Sequence, residues 1–154
     1  MITIEKVELY GNKLKDLIAD IKHFIMVLDD SQIVNEMKDV GEDQNLILVG
    51  FIPSHKSDGT DVDNVQNRDY MLWMILNKVD RRSGQAEFLA SFKRCQSAAL
   101  LIQKQMLADK PFFDANECTM MRQLDVPTIS IDPVWALAGC DGYEINYQLK
   151  TPIY

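Results

Sequence analysis

Apolar and polar residues alternate in the last part of the chain, after a corner bounded by Gly139 and Gly142. The apolar positions are Tyr143, Ile145, Tyr147 and Leu149, and the polar positions between them are Glu144, Asn146 and Gln148. Because side chains of a strand point alternately to the two faces of a sheet, this period of two predicts a strand with one buried and one solvated face. The two glycines predict a tight turn before it.

Two uninterrupted apolar runs predict further strands. The first covers residues 46–52 and is closed by Pro53, and the second covers residues 70–79. The second run is apolar on both faces, which favours a position in the middle of a sheet, covered on both sides. The intervening residues 53–69 are rich in Ser, Asp, Gly and Asn, and they predict a long, flexible, acidic loop.

Apolar residues spaced three and four apart predict two amphipathic helices. The first covers about residues 12–28, and its stripe consists of Leu14, Leu17, Ile18, Ile21, Phe24, Ile25 and Leu28. The second covers residues 83–109, with Ser83 as N-cap and Pro111 beyond its end. Its stripe consists of Phe88, Phe92, Cys95, Ala99, Ile102 and Met106.

Residues 118–124 and 126–131 predict one bent strand interrupted at Asp125, which Pro127 places at a sheet edge or a bulge. The predicted element order is therefore α-β-β-α-β-β. Each helix and each hairpin has one apolar side. We therefore expect a single α+β domain over residues 1–154, with a four-stranded antiparallel sheet and two long helices packed on one face.

The composition is that of an ordinary globular protein, with 154 residues, 47% hydrophobic and 25% charged. No apolar run approaches the ~20 residues that span a bilayer. The first residues do not show a basic region followed by an apolar one, so we expect neither a signal peptide nor a membrane partner. Cys95, Cys118 and Cys140 form no CxxC pair, which suits a reducing, cytosol-like compartment and predicts small buried hydrophobes.

The formal net charge of −7 is concentrated between Asp29 and Asp69, where ten acidic residues face only Lys38, Lys56 and Arg68. An acidic surface repels phosphate, so we expect no specific nucleic-acid binding. The segment is either a solvated surface or an electrostatic dock for a basic partner.

The chain shows no set of residues typical of catalysis. The acidic stretch from Asp58 to Asn64 has its glycine too early for a helix-loop-helix calcium loop. Glycine-rich phosphate loops and nucleophile elbows are absent, and His23 and His55 are the only histidines. We therefore expect a protein that is not an enzyme and that has no cofactor and no metal.

The residues expected to contact a partner are acidic or aromatic. Tyrosine and tryptophan are favoured at interfaces because they combine a large apolar area with a polar group. Trp135 is expected in the corner between the last two strands, and ordinary core packing is its alternative. The candidate interface residues are Asp58, Asp61, Asp63, Trp135, Tyr143 and Tyr154.

The segment Ile131–Tyr154 resembles the ends of small neck, tail-completion and tail-terminator proteins in phages and prophages of Bacteroidetes. The matching features are Ile131 and Pro133 of an I-x-P segment, followed by a corner containing Leu137, Gly139, Gly142 and Tyr143. Many members carry tryptophan where this chain has Tyr143. The resemblance implies a homo-oligomeric ring, a hexamer in that family, in which long loops reach neighbouring subunits.

We therefore expect a non-catalytic structural protein of a phage neck or tail, of tail-terminator or tail-completion type. Its partners would be further copies of itself and other phage structural proteins. It would be made in the bacterial cytoplasm and located in the virion. The alternative is a small cytosolic adaptor or regulatory binding domain that acts as a monomer or dimer.

Overall fold

The computed structural model describes residues 1–59, 61–80, 82, 84–111 and 119–153. In this part of the chain there are three α-helices and six strands. The helices are α1 (Ile4–Leu17), α2 (Asp30–Glu36) and α3 (Gly84–Asp109). The strands are β1 (His23–Val27), β2 (Ile47–Phe51), β3 (Ser54–Asp58), β4 (Gln66–Lys78), β5 (Leu124–Leu137) and β6 (Cys140–Pro152).

The strands form one mixed sheet with the order β1-β2-β4-β6-β5. Strand β1 is parallel to β2, whereas the other pairs are antiparallel. Strands β2 and β3 lie on the same side of β4, β2 against its second half and β3 against its first half. Strand β4 is therefore the central strand, as its two apolar faces predicted.

Helices α1 and α3 cover one face of the sheet. Trp73 of β4 lies at the centre of this core and contacts aromatic side chains of two other elements. The distance between ring centroids is 6.4 Å to Tyr10 of α1 and 6.2 Å to Phe24 of β1. Nε1 of Trp73 donates to the Tyr147 hydroxyl at 2.7 Å, which satisfies both buried polar groups.

Helix α2 covers only part of the opposite face, where Ile33 and Met37 pack on β1, β2 and β4. The rest of this face carries a polar network. Arg68 of β4 pairs with Asp58 of β3, and Lys150 of β6 pairs with Asp125 of β5 at 2.8 Å. This polar face explains why β6 alternates in burial along its length.

The predicted fold class is wrong in its sheet and in its helices. The sheet is mixed rather than antiparallel, it has six strands rather than four, and two helices lie on one face while a third lies on the other. The error begins at the predicted helix 12–28. Helix α1 begins at Ile4 and ends at Leu17, and Ile18 already has an extended backbone.

The apolar stripe of residues 12–28 combines the end of one element with the whole of the next. The face of α1 that is buried consists of Val7, Tyr10, Gly11 and Leu14. The later apolar residues belong to the short strand β1, which a 3-4 spacing cannot distinguish from a helix turn.

Residues 53–69 were expected to form a loop, but they contain β3 and the first residues of β4. These segments are polar because β3 is an exposed edge segment. In the described residues, the connection between the two strands covers 59 and 61–65 and contains the short 3-10 helix Val62–Asn64. An exposed polar strand gives no apolar alternation, so the sequence pattern does not indicate it.

The second predicted helix is confirmed, whereas the predicted bent strand is confirmed only in part. Helix α3 follows the predicted bounds, and the predicted cap Ser83 lies outside the described residues. Strand β5 lies at the sheet edge that Pro127 indicated, but it continues through Asp125 and extends beyond residue 131. The first part of the predicted strand is wrong, because residues 119–123 form a 3-10 helix. None of the helices in the described ranges is both long enough and apolar enough to cross a membrane.

Candidate functional site

The acidic candidates Asp58, Asp61 and Asp63 lie together at the end of the β3–β4 hairpin. Asp58 ends β3, where its carboxylate accepts a hydrogen bond from Nε of Arg68 at 2.5 Å. This bond and the charge of Arg68 lower the pKa of Asp58 below its ordinary value of 3.8. Asp61 and Asp63 are exposed in the turn. The ion pair with Arg68 joins β3 to β4, so the carboxylate of Asp58 already has a partner within its own chain.

The pairing predicts a pH effect that Asp58→Asn should remove. A lowered carboxyl pKa stabilises the fold fully above the unfolded-state value of 3.8, and this stabilisation is lost as the pH falls through the folded-state pKa. We expect the urea midpoint of the natural protein to fall more steeply between pH 5 and pH 3, about one unit either side of that value, than the midpoint of Asp58→Asn. Asp61→Asn, in the same hairpin, is the control and should follow the natural protein. Identical slopes for all three proteins would contradict the prediction.

Trp135 is the most exposed aromatic side chain for which the structure gives a value, at 69%. It lies near the end of β5, at a bulge where the register with β6 shifts between Val134 and Leu137. The following residue, Ala136, has a left-handed backbone with φ of 58°. Its N–H donates to the buried carboxylate of Asp141 at 2.9 Å. The bulge and this bond direct Trp135 away from the core.

Tyr143 does not lie beside Trp135 at the surface. Tyr143 is half-buried and packs edge-on against Phe92 of α3, with 6.0 Å between the ring centroids. It thus supports the helix layer. Tyr154 lies outside the described residues. The five candidates that the structure describes therefore do not form one surface.

A cavity of about 670 Å³ lies beside Trp135, between the end of β4, the beginning of α3 and the β5–β6 hairpin. Its lining includes Asn77 of β4, Phe88, Ser91 and Arg94 of α3, and Asp141 of β6. The three α3 residues are spaced three apart, so they share one face of the helix. The volume is within the range of about 300–1,000 Å³ that is typical of small-molecule sites.

Asn77 is the unusual group in this cavity. Its side chain is 8% exposed, and its Nδ2 donates to the hydroxyl of Ser91 at 2.7 Å. Its Oδ1 is buried and has no hydrogen-bond partner in the described part of the chain. Buried polar atoms in native proteins are almost always paired, so this oxygen, which has less than 1 Å² of accessible surface, is an exception.

Arg94 is the second group with spare hydrogen-bonding capacity. Its Nη2 donates to the backbone oxygen of Asn45 at 3.5 Å, a long bond, and this is its one hydrogen bond within the described residues. A guanidinium has five N–H donors in a planar fork that matches a carboxylate. Most of these donors are therefore not used by hydrogen bonds within the described residues.

The side chains of two other lining residues, Lys78 and Asn45, make hydrogen bonds to the backbone of the fold. Lys78 donates through Nζ to the backbone oxygens of Met37 at 2.8 Å and Val40 at 2.6 Å, which fixes the end of α2 against β4. Asn45 pairs through its side chain with both backbone groups of Lys78. The cavity wall is therefore tied to the rest of the fold.

The cysteines that the structure describes are buried thiols. Burial raises the pKa of the Cys95 thiol to about 12, which keeps it protonated at neutral pH. Cys95 and Cys140 are buried, as small apolar residues would be, and Cys118 lies outside the described residues. No group of three or more His, Cys, Asp or Glu side chains in those ranges is placed to hold a metal ion.

The sequence indicated Trp135 but not the cavity beside it. Asn77, Ser91 and Arg94 are ordinary polar residues, and each lies at the border of an apolar run or within an amphipathic helix. Only the antiparallel pairing of β4 with β6, and the packing of α3 over both, brings them together. Comparison with known proteins finds no family model, no curated protein and no solved structure that matches the chain.

Proposed function

We propose that this chain is a non-catalytic assembly protein that binds other copies of itself through the outer edge of its sheet. The observation that carries the proposal is Trp135, a large apolar side chain that is 69% exposed and is directed outward by a strained bulge. Exposed tryptophans are enriched at the centres of protein interfaces, where their burial contributes most to binding. Strain of this kind persists only where the surrounding structure holds it.

The edge that carries Trp135 is suited to pairing. Strand β5 is 14 residues long and pairs only with β6 within the described residues. An open edge strand presents unpaired backbone groups and is a template for a strand of another chain. Val126, 39% exposed, adds a second apolar side chain at the other end of the strand. Pro127 and Pro133 remove two backbone donors and so limit the registers that a partner strand can take.

The two ends of the sheet are unlike, and this favours a head-to-tail arrangement. The far edge is β1, a strand of five residues that is parallel to its neighbour. A contact from the β5 edge of one subunit to the β1 edge of the next joins different surfaces. Such a heterologous contact generates a ring if its rotation closes and a filament if it does not.

The setting that we propose is a phage neck or tail, and it rests on the resemblance of the segment from Ile131 to Tyr154. The acidic residues have two locations on the subunit. Asp29, Asp30, Glu36 and Asp39 lie exposed on and beside α2, and Asp61 and Asp63 lie in the β3–β4 turn. These two exposed groups are the surfaces on which we expect a basic neighbour to bind.

Replacing Trp135 by alanine should reduce self-association. The change removes about 150–250 Å² of aromatic surface that would be buried in the contact. We expect the mass measured by light scattering after size exclusion to increase with concentration for the natural protein. For Trp135→Ala this increase should need at least about tenfold more protein, since a central aromatic contributes about 2 kcal/mol or more.

Leu100→Ala is the matched control. Leu100 lies on α3, which packs mainly on the inner strands β4 and β6, and it is 53% exposed, so its loss also removes apolar surface. Its association should be that of the natural protein. Two results would refute the β5 edge as the site of self-association. One is a natural protein that stays monomeric at all concentrations, and the other is an equal effect of the two variants.

A further inference from the structure

We propose that the cavity beside Trp135 binds a neutral sugar ring, either as a free monosaccharide or as one unit of a glycan chain. The accessible part of its wall includes Trp135, Phe88, Glu87 and Arg94. The proposal follows from two exposed aromatic rings, from accessible polar groups of opposite charge, and from a floor that the fold holds in place. It does not depend on self-association, although Trp135 takes part in both.

Two aromatic side chains are accessible in this cavity. Trp135 is 69% exposed and Phe88 is 37% exposed, and both line the cavity. Phe88 is held by Phe92, with 5.0 Å between the ring centroids, and Phe92 packs edge-on against Tyr143. The face of an aromatic ring carries negative charge, and the C–H groups on one face of a sugar ring carry the complementary partial charge. A sugar ring can therefore pack on Trp135 while its hydroxyl groups meet the polar side chains.

The accessible polar groups of the wall carry opposite charges. Glu87 and Arg94 lie about two turns apart on the same face of α3. Asp80, which follows β4, adds a second carboxylate. The two carboxylates disfavour an anion, and the guanidinium of Arg94 disfavours a cation. A hydroxyl group both donates and accepts hydrogen bonds, so a neutral ring with several hydroxyl groups can pair with the carboxylates and with the guanidinium at once.

The floor of the cavity is fixed before a ligand binds. Asn77, Ser91 and Asp141 line the cavity but are almost fully buried, so they support the accessible wall rather than contact a ligand. Nδ2 of Asn77 donates to the hydroxyl of Ser91 at 2.7 Å. The carboxylate of Asp141 accepts from the N–H of Ala136 at 2.9 Å, which holds the backbone next to Trp135. This preorganisation lowers the cost of binding a small ligand.

The probes are methyl β-D-glucopyranoside, methyl β-D-galactopyranoside and methyl α-D-mannopyranoside, which differ in the orientation of single substituents. The measurement is saturation-transfer NMR on the sugar signals with the full chain at low concentration, where self-association is least. We expect one of the sugars to bind most tightly, with a Kd on the order of 1 mM. Saturation should be transferred most strongly to the C–H protons on one face of its ring. No saturable transfer to any of the three sugars up to about 50 mM would overturn the proposal.

Charged sugars test whether the ligand is neutral. Glucuronate adds a carboxylate to the ring of glucose, and glucosamine adds an ammonium group. We expect neither to bind more tightly than the neutral sugars. Binding of either one at least about tenfold more tightly would overturn the proposal, because the cavity would then select a charge rather than a sugar ring.

Two pairs of variants test the residues. Trp135→Ala should weaken sugar binding at least about tenfold, whereas Trp135→Phe keeps an aromatic ring and should retain part of the affinity. Glu87→Gln should weaken binding about fivefold. Glu8→Gln removes the same charge from an exposed position of α1 that does not line the cavity, and it should have no effect. Unchanged binding by Trp135→Ala, or equal effects of Glu87→Gln and Glu8→Gln, would overturn the site.

Glu87→Gln also separates this proposal from that of assembly. Glu87 lies in the first turn of α3 and not on β5, so its replacement should leave the oligomeric mass unchanged. Loss of sugar binding at constant mass would support the sugar site whether or not the chain associates. Trp135→Ala with reduced association but undiminished sugar binding would support assembly and refute the sugar site.

The length of the sugar chain distinguishes the two sources of the ligand. With about 670 Å³, the cavity has room for more than one ring. The disaccharide of the preferred sugar should therefore bind more tightly than the methyl glycoside if the natural ligand is a glycan chain. Equal affinity would assign the site to the free monosaccharide.

Discussion

Gly142→Ala is expected to destabilise the protein strongly, because it prevents β4 and β6 from pairing closely at this position. Gly142 pairs with Leu76 of β4 on one side and with Val134 of β5 on the other. An added Cβ would lie closer than 3.0 Å to both the carbonyl carbon and the oxygen of Ile75, and 3.1 Å from the Cα of Leu76. All of these atoms belong to the backbone, so no side-chain rotation can relieve the contact.

The cost of this change should exceed the usual penalty of about 1–3 kcal/mol for an overpacked core, because strands β4 and β6 must separate locally. We expect a loss of at least about 3 kcal/mol in the free energy of unfolding, measured by urea denaturation. Gly139→Ala is the matched control in the same hairpin. Gly139 has φ of 76° with nothing within 4 Å, so alanine there meets only the backbone strain of about 1–2 kcal/mol. Equal losses for the two variants would show that close approach of β4 and β6 is not the reason for Gly142.

Asp69→Ala should destabilise the protein by about 3 kcal/mol or more, because several buried groups then lose their acceptor. Asp69 of β4 is fully buried, at 0% exposure. Its Oδ2 accepts from the backbone N–H of Ile2 at 3.1 Å and from the hydroxyl of Thr151 at 2.9 Å. Its Oδ1 contacts Nδ1 of His55. One carboxylate thus joins the first residues to β3, β4 and β6.

Asp125→Ala is the comparison for this second prediction. Asp125 is also a carboxylate of the sheet, but it lies on the polar face, where it pairs with Lys150 at 2.8 Å and is 18% exposed. We expect its loss to cost no more than about 1 kcal/mol, as for other ion pairs that contact solvent. Proteolysis near the first residues gives a further test, since Asp69→Ala should release them. An unchanged cleavage rate together with a small loss of stability would mean that Asp69 is not the junction of these elements.

The elements that the sequence predicts well are those with one long, uniform pattern. Helix α3 has a continuous apolar stripe, strand β6 has a strict alternation, and the apolar half of β4 requires cover on both faces. The failures occur at short or polar elements. Strand β1 has five residues, so its apolar positions were added to the stripe of the preceding helix. Strand β3 is exposed and polar, and its pairing is decided by the proximity of β4 rather than by its own residues.

Of the residues that form the candidate site, only the exposed Trp135 could be predicted from the sequence. Trp135 can be singled out because a tryptophan beside a glycine-bounded turn is unusual. The neighbouring Asn77 cannot, because its importance lies in an unpaired oxygen, and pairing depends on which side chains the fold brings near it. In the same way, Gly139 and Gly142 look equivalent in the sequence. The structure shows that one provides a left-handed turn and the other provides space.

The position of β4 between β2 and β6 has a consequence for synthesis of the chain on the ribosome. Its apolar residues Met71, Trp73 and Ile75 are made before α3, β5 and β6, yet β6 forms one entire side of their pairing and α3 covers one face. Until β6 emerges, the nascent chain carries a half-paired apolar strand, the kind of segment that favours aggregation and recruits chaperones. The emergence of β6 is therefore the step that covers the open side of this apolar strand.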